Sequence, residues 1–329
     1  MKKLLLGVMT FMLAFAVISC GGSGSGSKTT VWKLAFNQSI EHPQAQGLLW
    51  LSDQFFKETN GAYRIEVNPN ELLGNQKEAF ESLQNGVIQM AVLGNPIVEA
   101  VNPDFAVLAL PGLYRSIEFQ QEVYTNGTLN ELFATTTKNN FYTLAAVHAG
   151  VRNVYAKKPV RSPADLKGMK IRVQQSQLMI DVINAMGAIA VPMSQGEVYT
   201  AIQQGVLDGA ENNEVTFYDL KQYEVAPVYS YTKHFMIPDI LVINKETYES
   251  LSPEHKAIFD RLVKETIERI FANFIDRVTN AKEEAISKGA TFIDDFDSSI
   301  FNKNFVDVIS KTVNTPSKKK LYDSIANVK

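Results

Sequence analysis

The sequence predicts an α/β protein with two similar lobes, each a mostly parallel sheet with flanking helices, and a long C-terminal helix that spans both lobes. Two observations predict the lobes: strand and helix patterns alternate along the chain, and the same alternation recurs in its second half. A third observation predicts the spanning helix, because neither glycine nor proline occurs between Pro253 and Gly289.

The first lobe is predicted from alternating strand and helix patterns. Trp32, Leu34 and Phe36 fall on one face of a strand, as a period of two requires. Apolar residues then recur at helical spacing until Asn60-Gly61, where a helix should stop. These patterns indicate strands over residues 31–36, 63–67 and 87–93, and helices over residues 43–59 and 76–85.

The second lobe repeats this plan, with strands expected over residues 169–173, 189–191 and 206–210 and helices over residues 177–186 and 197–204. One stretch recurs almost literally, since residues 83–91 match residues 202–210. In both copies a helix ends in an amide pair, a glycine follows in a position that favours the left-handed cap, and a buried strand is expected to start at once. We interpret the match as two similar lobes; a chance recurrence of the helix–glycine–strand pattern is the alternative.

The long helix is predicted to begin after Ser252, which can cap it, with Pro253 in its first turn. At about 50 Å it would be longer than one lobe, so it should bridge both. A membrane-surface helix is the alternative, but the polar face here carries charges of both signs. The apolar stripe consists of Phe259, Leu262, Ile267, Ile270, Phe274 and Val278.

The N-terminus has the pattern of a secretory signal. Lys2 and Lys3 precede an apolar run over residues 4–18, which would reach about 22 Å as a helix, short of the roughly 30 Å hydrocarbon core. The sequence before and including Cys20 resembles the bacterial lipoprotein box, in which the cysteine is lipidated. We therefore expect an exported protein, anchored through Cys20 outside the cytoplasmic membrane; an ordinary cleaved signal with a chance cysteine is the alternative.

The predicted organisation follows from these segments. A signal peptide covers residues 1–19, and the lipidated cysteine with a Gly/Ser tether covers residues 20–29. The first lobe takes residues 30–150 and about 238–252, the second residues 151–237, and the long helix with a C-terminal segment residues 253–329. The balance of 32 basic and 35 acidic residues argues against nucleic acid or an anionic membrane surface as a partner.

No motif for catalysis is found in the sequence. The four histidines stand far apart, without a second metal ligand at useful spacing: His42, His148, His234 and His255. Nucleotide-binding and nucleophile motifs are missing from the sequence as well. We expect a monomer that is not an enzyme and needs no cofactor or metal, although a triad assembled in space remains open.

Two arginines stand out because each lies among apolar residues of a predicted strand. A buried arginine is costly unless it meets an anion, so Arg172 and Arg152 are candidate ligand contacts. In open α/β sheets, ligands bind beyond the carboxyl ends of strands. The alternatives are that Arg172 pairs internally with Glu211 or Asp208, and that Arg152 is solvated.

From about Lys33 to the end of the long helix, the chain resembles the periplasmic substrate-binding subunits of TRAP transporters, the DctP-like family. The resemblance rests on ordered motifs at residues 70–75 (NELLGN), 108–111 (LALP), 150–152 (GVR), 162–173 (SPADLKGMKIRV), 196–212 (GEVYTAIQQGVLDGAEN) and 251–254 (LSPE). It implies a two-lobed clamshell that captures a small organic acid for a sodium-driven membrane permease.

The resemblance also implies roles for single residues. Arg172 matches the arginine that holds the ligand carboxylate, Arg152 a second basic contact, and Asn212 the amide that supports them. Asn37 and Gln76 match positions of the first lobe that face the ligand. Gln195 stands where sialic-acid binders of the family have an aromatic residue, which argues against sialic acid.

The remaining candidate cleft residues point to a hydroxylated ligand. They are hydrogen-bonding side chains at predicted strand ends and helix starts, among them His42, Asn75, Asn95 and Glu211. Amides bind hydroxyl groups through paired donors and acceptors, whereas a dicarboxylate would need a second cation. We expect a hexuronate such as glucuronate or galacturonate, with C4-dicarboxylates and other hydroxy or keto acids as alternatives. A sensory lipoprotein that docks a receptor would have the same sequence features.

Overall fold

The computed structural model describes residues 28–328, so the predicted signal peptide, the lipidation site Cys20 and most of the tether lie outside the described residues. Within residues 28–328, no helix is both long enough and apolar enough to cross a membrane.

The chain builds a first lobe, crosses to a second, and returns. The elements up to the first crossing are β1 (Thr30–Ala35), α1 (Pro43–Glu58), β2 (Tyr63–Asn68), α2 (Gln76–Gln84), β3 (Met90–Gly94), α3 (Asn95–Glu99), α4 (Ile117–Thr125), α5 (Asn130–Ala134) and β4 (Phe141–Val147). The second lobe contains β5 (Arg152–Ala156), α6 (Pro163–Leu166), β6 (Lys170–Val173), α7 (Gln177–Ala185), β7 (Ile189–Pro192), α8 (Val198–Gln203), β8 (Gly209–Asn212), α9 (Glu214–Asp219) and β9 (Val228–Phe235).

After the return, the chain completes the first sheet and then runs across both lobes. These last elements are β10 (Asp239–Asn244), α10 (Lys245–Glu249), α11 (Pro253–Ser287), β11 (Thr291–Ile293), α12 (Asn302–Thr312) and α13 (Pro316–Ala326). Strand β11 pairs with β9 and so extends the second sheet, which the sequence patterns did not predict.

Each lobe contains one sheet, as the sequence predicts. The strand order is β2-β1-β3-β10-β4 in the first lobe and β11-β9-β5-β8-β6-β7 in the second. In each sheet one strand runs against all the others: β10 in the first and β5 in the second. Both are the first strand after a crossing. The chain leaves one sheet at the carboxyl end of a strand and enters the facing sheet at the edge where the carboxyl ends of its other strands lie. The first strand in the new sheet must therefore run opposite to those strands.

The repeated stretch is a structural repeat, with one correction. Gly86 and Gly205 adopt the predicted left-handed conformation, with φ of 73° and 76°. The strands do not start at once, however: they begin at Met90 and Gly209, and the preceding Val87 and Val206 are 68% and 51% exposed.

The reason for the late start of β3 and β8 is the same in both lobes. Gln89 and Asp208, at matching positions of the repeat, use their side chains to accept a hydrogen bond from the backbone of a neighbouring strand. The Gln89 side chain accepts from the N–H of Lys33 at 2.9 Å, and that of Asp208 from the N–H of Lys170 at 2.8 Å. These residues therefore cap the adjacent strand before their own begins.

The predicted spanning helix is confirmed. Helix α11 packs on α1 in the first lobe and on α9 in the second. Its apolar stripe contributes to both cores: the ring of Phe259 lies 5.6 Å from that of Trp32 in the first lobe, and Phe274 packs near Val215 at the start of α9. The same helix packs against the first of the two crossing segments (residues 148–151 and 236–238), because the rings of Phe271 and Phe274 contact His148.

Candidate ligand-binding site between the lobes

Arg172 is a buried cation without a carboxylate partner among residues 28–328. It lies in β6 and is 2% exposed. Its Nε and Nη2 donate to the carbonyl oxygen of Met193 at 2.8 and 2.6 Å, and its Nη1 donates to Gln195 Oε1 at 3.2 Å. Burial lowers the pKa of Arg172 to about 10, so the guanidinium is charged at neutral pH.

The contacts of Arg172 leave donors available for an anion. A guanidinium has five N–H groups, and the three hydrogen bonds to the protein use one on each nitrogen. One N–H therefore remains on each terminal nitrogen. Two parallel donors match the two oxygens of a carboxylate.

Arg152 is in a different situation, because it has a carboxylate partner within the protein. Its Nε and Nη2 donate to the two carboxylate oxygens of Glu211 at 2.5 and 2.7 Å, and its Nη1 donates to Asn212 Oδ1 at 3.0 Å. Burial alone would raise the pKa of Glu211, but the Arg152 guanidinium outweighs it and holds the pKa below its usual value. The alternative that Arg152 is solvated is wrong, since only 4% of it is exposed.

Strand register explains why Glu211 pairs with Arg152 rather than with Arg172. Arg172 lies opposite Ala210 in the β6–β8 pair, so its side chain points to the same face as Ala210. Glu211, the next residue, points to the other face. Val154 lies opposite Glu211, and Arg152, two residues away, shares that face. Asp208 instead accepts a hydrogen bond from the backbone N–H of Lys170. The alternative in which Arg172 pairs with Glu211 or Asp208 is therefore not what the structure shows.

Two cavities lie at the cleft between the lobes, and both have walls from both lobes. One, of about 30 Å³, lies beside Arg172 and is lined by Asn75 and Gln76 of the first lobe and by Gln195 of the second. The other, of about 210 Å³, is lined by Asn37 of the first lobe and again by Gln195. Of the candidate ligand contacts named from the sequence, five line these cavities: Arg172, Asn37, Asn75, Gln76 and Gln195.

The first-lobe candidates also hold the local backbone. Asn75 caps α2 by accepting from the backbone N–H groups of Lys77 and Glu78. Gln76 accepts a hydrogen bond from the backbone N–H of Gly94, at the carboxyl end of β3. Both residues therefore fix the edge of the cleft, and a direct ligand contact by either stays a prediction.

The remaining candidates line neither cavity. His42 is buried between the rings of Phe36 and Phe274 and caps α1; burial lowers its pKa to about 3, so it is a neutral core residue. Asn95 is buried and donates to the carbonyl oxygen of Phe105 at 2.9 Å. Arg152, Glu211 and Asn212 form the buried cluster described above, and their direct ligand contact stays a prediction.

Two cleft residues, Glu71 and Tyr199, were not predicted from the sequence. Glu71 and Tyr199 line the larger cavity, and Glu71 also lines the cavity beside Arg172. Glu71 lies within the motif at residues 70–75, but the charge of a single turn residue gave no sign that its side chain faces the cleft.

Polar contacts join the lobes across the cleft. Ser39 of the first lobe donates to Asp219 of α9 at 3.2 Å, and Ser176 of the second lobe donates to Glu99 of α3 at 2.9 Å. Three residues that line the cavity beside Arg172 each have a buried polar atom without a hydrogen-bond partner among residues 28–328, namely Glu71 Oε1, Gln174 Oε1 and Gln195 Nε2. Buried polar groups are normally paired, so these three atoms mark a place for a polar solute.

A larger cavity, of about 450 Å³, lies beside the crossing segments. Its walls are mainly apolar and include Leu113, Val151, Phe235 and Val278. Residues of β5 and β9 line it, and β8 lies between those strands and β6, which carries Arg172. The wall of this cavity includes Lys233, which is exposed, whereas Arg172 is a buried guanidinium with N–H groups left for an anion, so we place the candidate site beside Arg172.

Comparisons with known proteins agree with this geometry. The profile of DctP, the bacterial extracellular solute-binding protein family 7, matches residues 34–314. Among curated relatives, the C4-dicarboxylate-binding periplasmic protein DctP of Rhodobacter capsulatus is 30% identical over 253 residues, which cover 75% of this chain and 74% of that protein.

Solved structures show the same fold. A TRAP periplasmic solute binding protein from Anaerococcus prevotii with bound glucuronate is 36% identical, with a TM-score of 0.87 over 91% of this chain and 97% of that one. A second one, from Xanthobacter autotrophicus with bound galacturonate, is 30% identical, with a TM-score of 0.87 over 91% of this chain and 100% of that one.

Proposed function

Since this chain belongs to the DctP family of bacterial extracellular solute-binding proteins, we propose that it captures a hexuronate outside the cytoplasm and delivers it to a TRAP membrane permease. Glucuronate and galacturonate are the first candidates, because solute-binding proteins of the same fold were solved with these two sugar acids. C4-dicarboxylates are the second candidate class, supported by the relative from Rhodobacter capsulatus.

The proposal rests on the burial and the hydrogen bonds of Arg172. Arg172 is a buried guanidinium with one N–H left on each terminal nitrogen, and it forms no salt bridge with a carboxylate of the described residues. Charge-assisted hydrogen bonds to a ligand carboxylate would compensate the cost of burying this charge. In the Arg152–Glu211 pair the two charges compensate each other, and the pair joins β5 to β8, the strand beside β6.

The rest of the cleft suits a hydroxylated ligand. Asn37, Gln195 and Tyr199 provide uncharged donors and acceptors around the cavity of about 210 Å³. A sugar ring carries several hydroxyl groups that can pair with such side chains, whereas a C4-dicarboxylate leaves most of them unpaired. We therefore favour a hexuronate over a dicarboxylate.

Transport requires that the permease distinguish the loaded form. A ligand that contacts Arg172 of the second lobe and Asn37 of the first favours the closed arrangement by its difference in affinity for the two states. The cross-cleft contacts Ser39–Asp219 and Ser176–Glu99 join the two lobes and would stabilise such an arrangement. We propose that the permease recognises this closed form and that the protein itself performs no chemistry on the solute.

The anchor is a separate proposal. Cys20 follows an apolar segment in a lipoprotein-type motif, and we infer that it carries a lipid that holds the protein at the membrane. In cells fed labelled palmitate, the wild-type protein should take up the label and C20A should not; equal labelling of both would contradict the anchor.

Binding can be tested with a matched ligand panel. D-Glucuronate and D-galacturonate are compared with D-glucose, which has the same ring type without a carboxylate, and with succinate and malate. A specific acid at a hundredfold excess over Kd should stabilise the protein by about 2.7 kcal/mol and raise Tm by several degrees. Small-angle scattering should show a smaller radius of gyration with the acid. No shift with either uronate would refute the proposed ligand.

A further inference from the structure

Glu71 is held at the cleft by an unusual turn of the first lobe. Asn70 and Glu71 both adopt left-handed backbone conformations, with φ of 54° and 57°, which residues other than glycine rarely take. The turn is fixed by hydrogen bonds: the N–H of Asn70 donates to the carbonyl of Gln38 at 2.9 Å, and that of Glu71 to the carbonyl of Phe36 at 3.1 Å. Strain of this kind persists where the surrounding structure enforces it, often at ligand sites.

The two carboxylate oxygens of Glu71 have different surroundings. Oε2 lies against Gly196 of the second lobe so closely that a Cβ on that residue would be 2.8 Å away. Oε1 is buried and has no hydrogen-bond partner among residues 28–328. Glu71 is also the one charged residue that lines both cleft cavities. A residue with an unpartnered acceptor therefore lines the space that the ligand would occupy.

The charges of the residues around Glu71 also favour a contact with the ligand. The charged residues around the Glu71 carboxylate are Arg172, exposed Lys77 at the wall of the smaller cavity, and the acidic Glu78 and Glu197. No cation forms a salt bridge with Glu71 in the part of the chain that the structure describes. A ligand held by Arg172 thus meets a positive charge at one end and an unpaired negative charge at the other.

We propose that Glu71 is the specificity-determining residue of the cleft: it accepts a hydrogen bond from a ligand hydroxyl and excludes ligands with a second carboxylate. The inference rests on the proposed function and narrows its ligand class to hydroxylated monoanions. A hydroxyl donates to Oε1 and satisfies it, whereas a second carboxylate places like charges together in a desolvated site. This is a selection by repulsion as well as by attraction.

The test compares E71Q with wild type by calorimetric titration of the whole mature protein. D-Galacturonate is the monoanion, and galactarate and succinate are the dianions. Glutamine keeps the size of the side chain and removes the charge. Wild type should bind galacturonate at least about a hundredfold more tightly than either dianion. In E71Q this ratio should fall about tenfold or more, because dianion binding improves.

Glu99 provides a matched control. It is also a carboxylate of the first lobe that contacts the second lobe, through Ser176 at 2.9 Å, but it lines neither cleft cavity. E99Q removes the same charge and should leave the galacturonate-to-dianion ratio unchanged. E71D keeps the charge on a shorter side chain, so it should still exclude dianions while galacturonate binding weakens.

The outcomes separate the two proposals. An unchanged ratio in a folded E71Q, or an equal change in E99Q, overturns the role of Glu71 while uronate binding by wild type upholds the proposed function. If wild type binds no uronate, the proposed function is overturned. The role of Glu71 is then overturned as well, whether wild type binds the dianions or neither class of ligand. If E71Q does not fold, E71D decides the question, since dianion binding by E71D would contradict exclusion by charge.

Discussion

The two arginines of the second sheet should respond to the same substitution in opposite ways. R172M and R152M each replace a buried guanidinium by an uncharged side chain of similar length. R172M should abolish most ligand binding without loss of stability, whereas R152M should destabilise the fold. The contrast follows from their partners: within residues 28–328 Arg172 has no carboxylate in a salt bridge, whereas Arg152 has Glu211.

The magnitudes come from the contacts. Two charge-assisted hydrogen bonds from Arg172 to a ligand carboxylate contribute about 1.5–3 kcal/mol each, so R172M should weaken binding by about 10²- to 10⁴-fold. In the free protein, burial lowers the pKa of Arg172 to about 10, a shift that corresponds to about 3 kcal/mol of cost for the buried charge. Removing that charge offsets the lost bonds to Met193 and Gln195, so the free energy of unfolding should equal or exceed that of wild type.

R152M has the opposite expectation. It leaves Glu211 buried and charged without its partner, which should cost about 3–5 kcal/mol of stability. Urea denaturation of the ligand-free proteins and calorimetric titration with the preferred acid measure the two quantities. Unchanged affinity in R172M, or a loss of stability equal to that of R152M, would show that Arg172 is only a structural residue.

The pH dependence of stability provides two further predictions. Burial lowers the pKa of His148 to about 4, so the folded state loses about 3 kcal/mol of stability as pH falls from the unfolded pKa of about 6.5 towards 4. Urea denaturation of H148Q across this pH range should show a smaller loss of stability than wild type. An equal loss would contradict the prediction. Burial raises the pKa of Asp239 to about 6, so protonation of Asp239 in the folded state partly compensates the stability lost through His148 as pH falls. D239N lacks this compensation and should lose stability more steeply than wild type between pH 6.5 and 4. A shallower loss in D239N would contradict the prediction.

The sequence determined the elements and their repetition. Apolar periodicity, the positions of Gly86 and Gly205 and the uninterrupted run after Pro253 depend on local backbone preferences, and the predicted lobes and spanning helix follow from them. The unusual position of Arg172 within a strand was also visible, because the cost of burying a guanidinium does not depend on the rest of the fold.

Only the tertiary structure decided which polar groups meet. Whether Glu211 pairs with Arg152 or with Arg172 depends on register between strands far apart in sequence, since a shift of one residue moves a side chain to the other face of the sheet. Glu71 reaches the cleft because a turn after β2 places it against Gly196 of the other lobe. Such contacts are set by the packing of whole elements in three dimensions, and local sequence patterns do not contain that information.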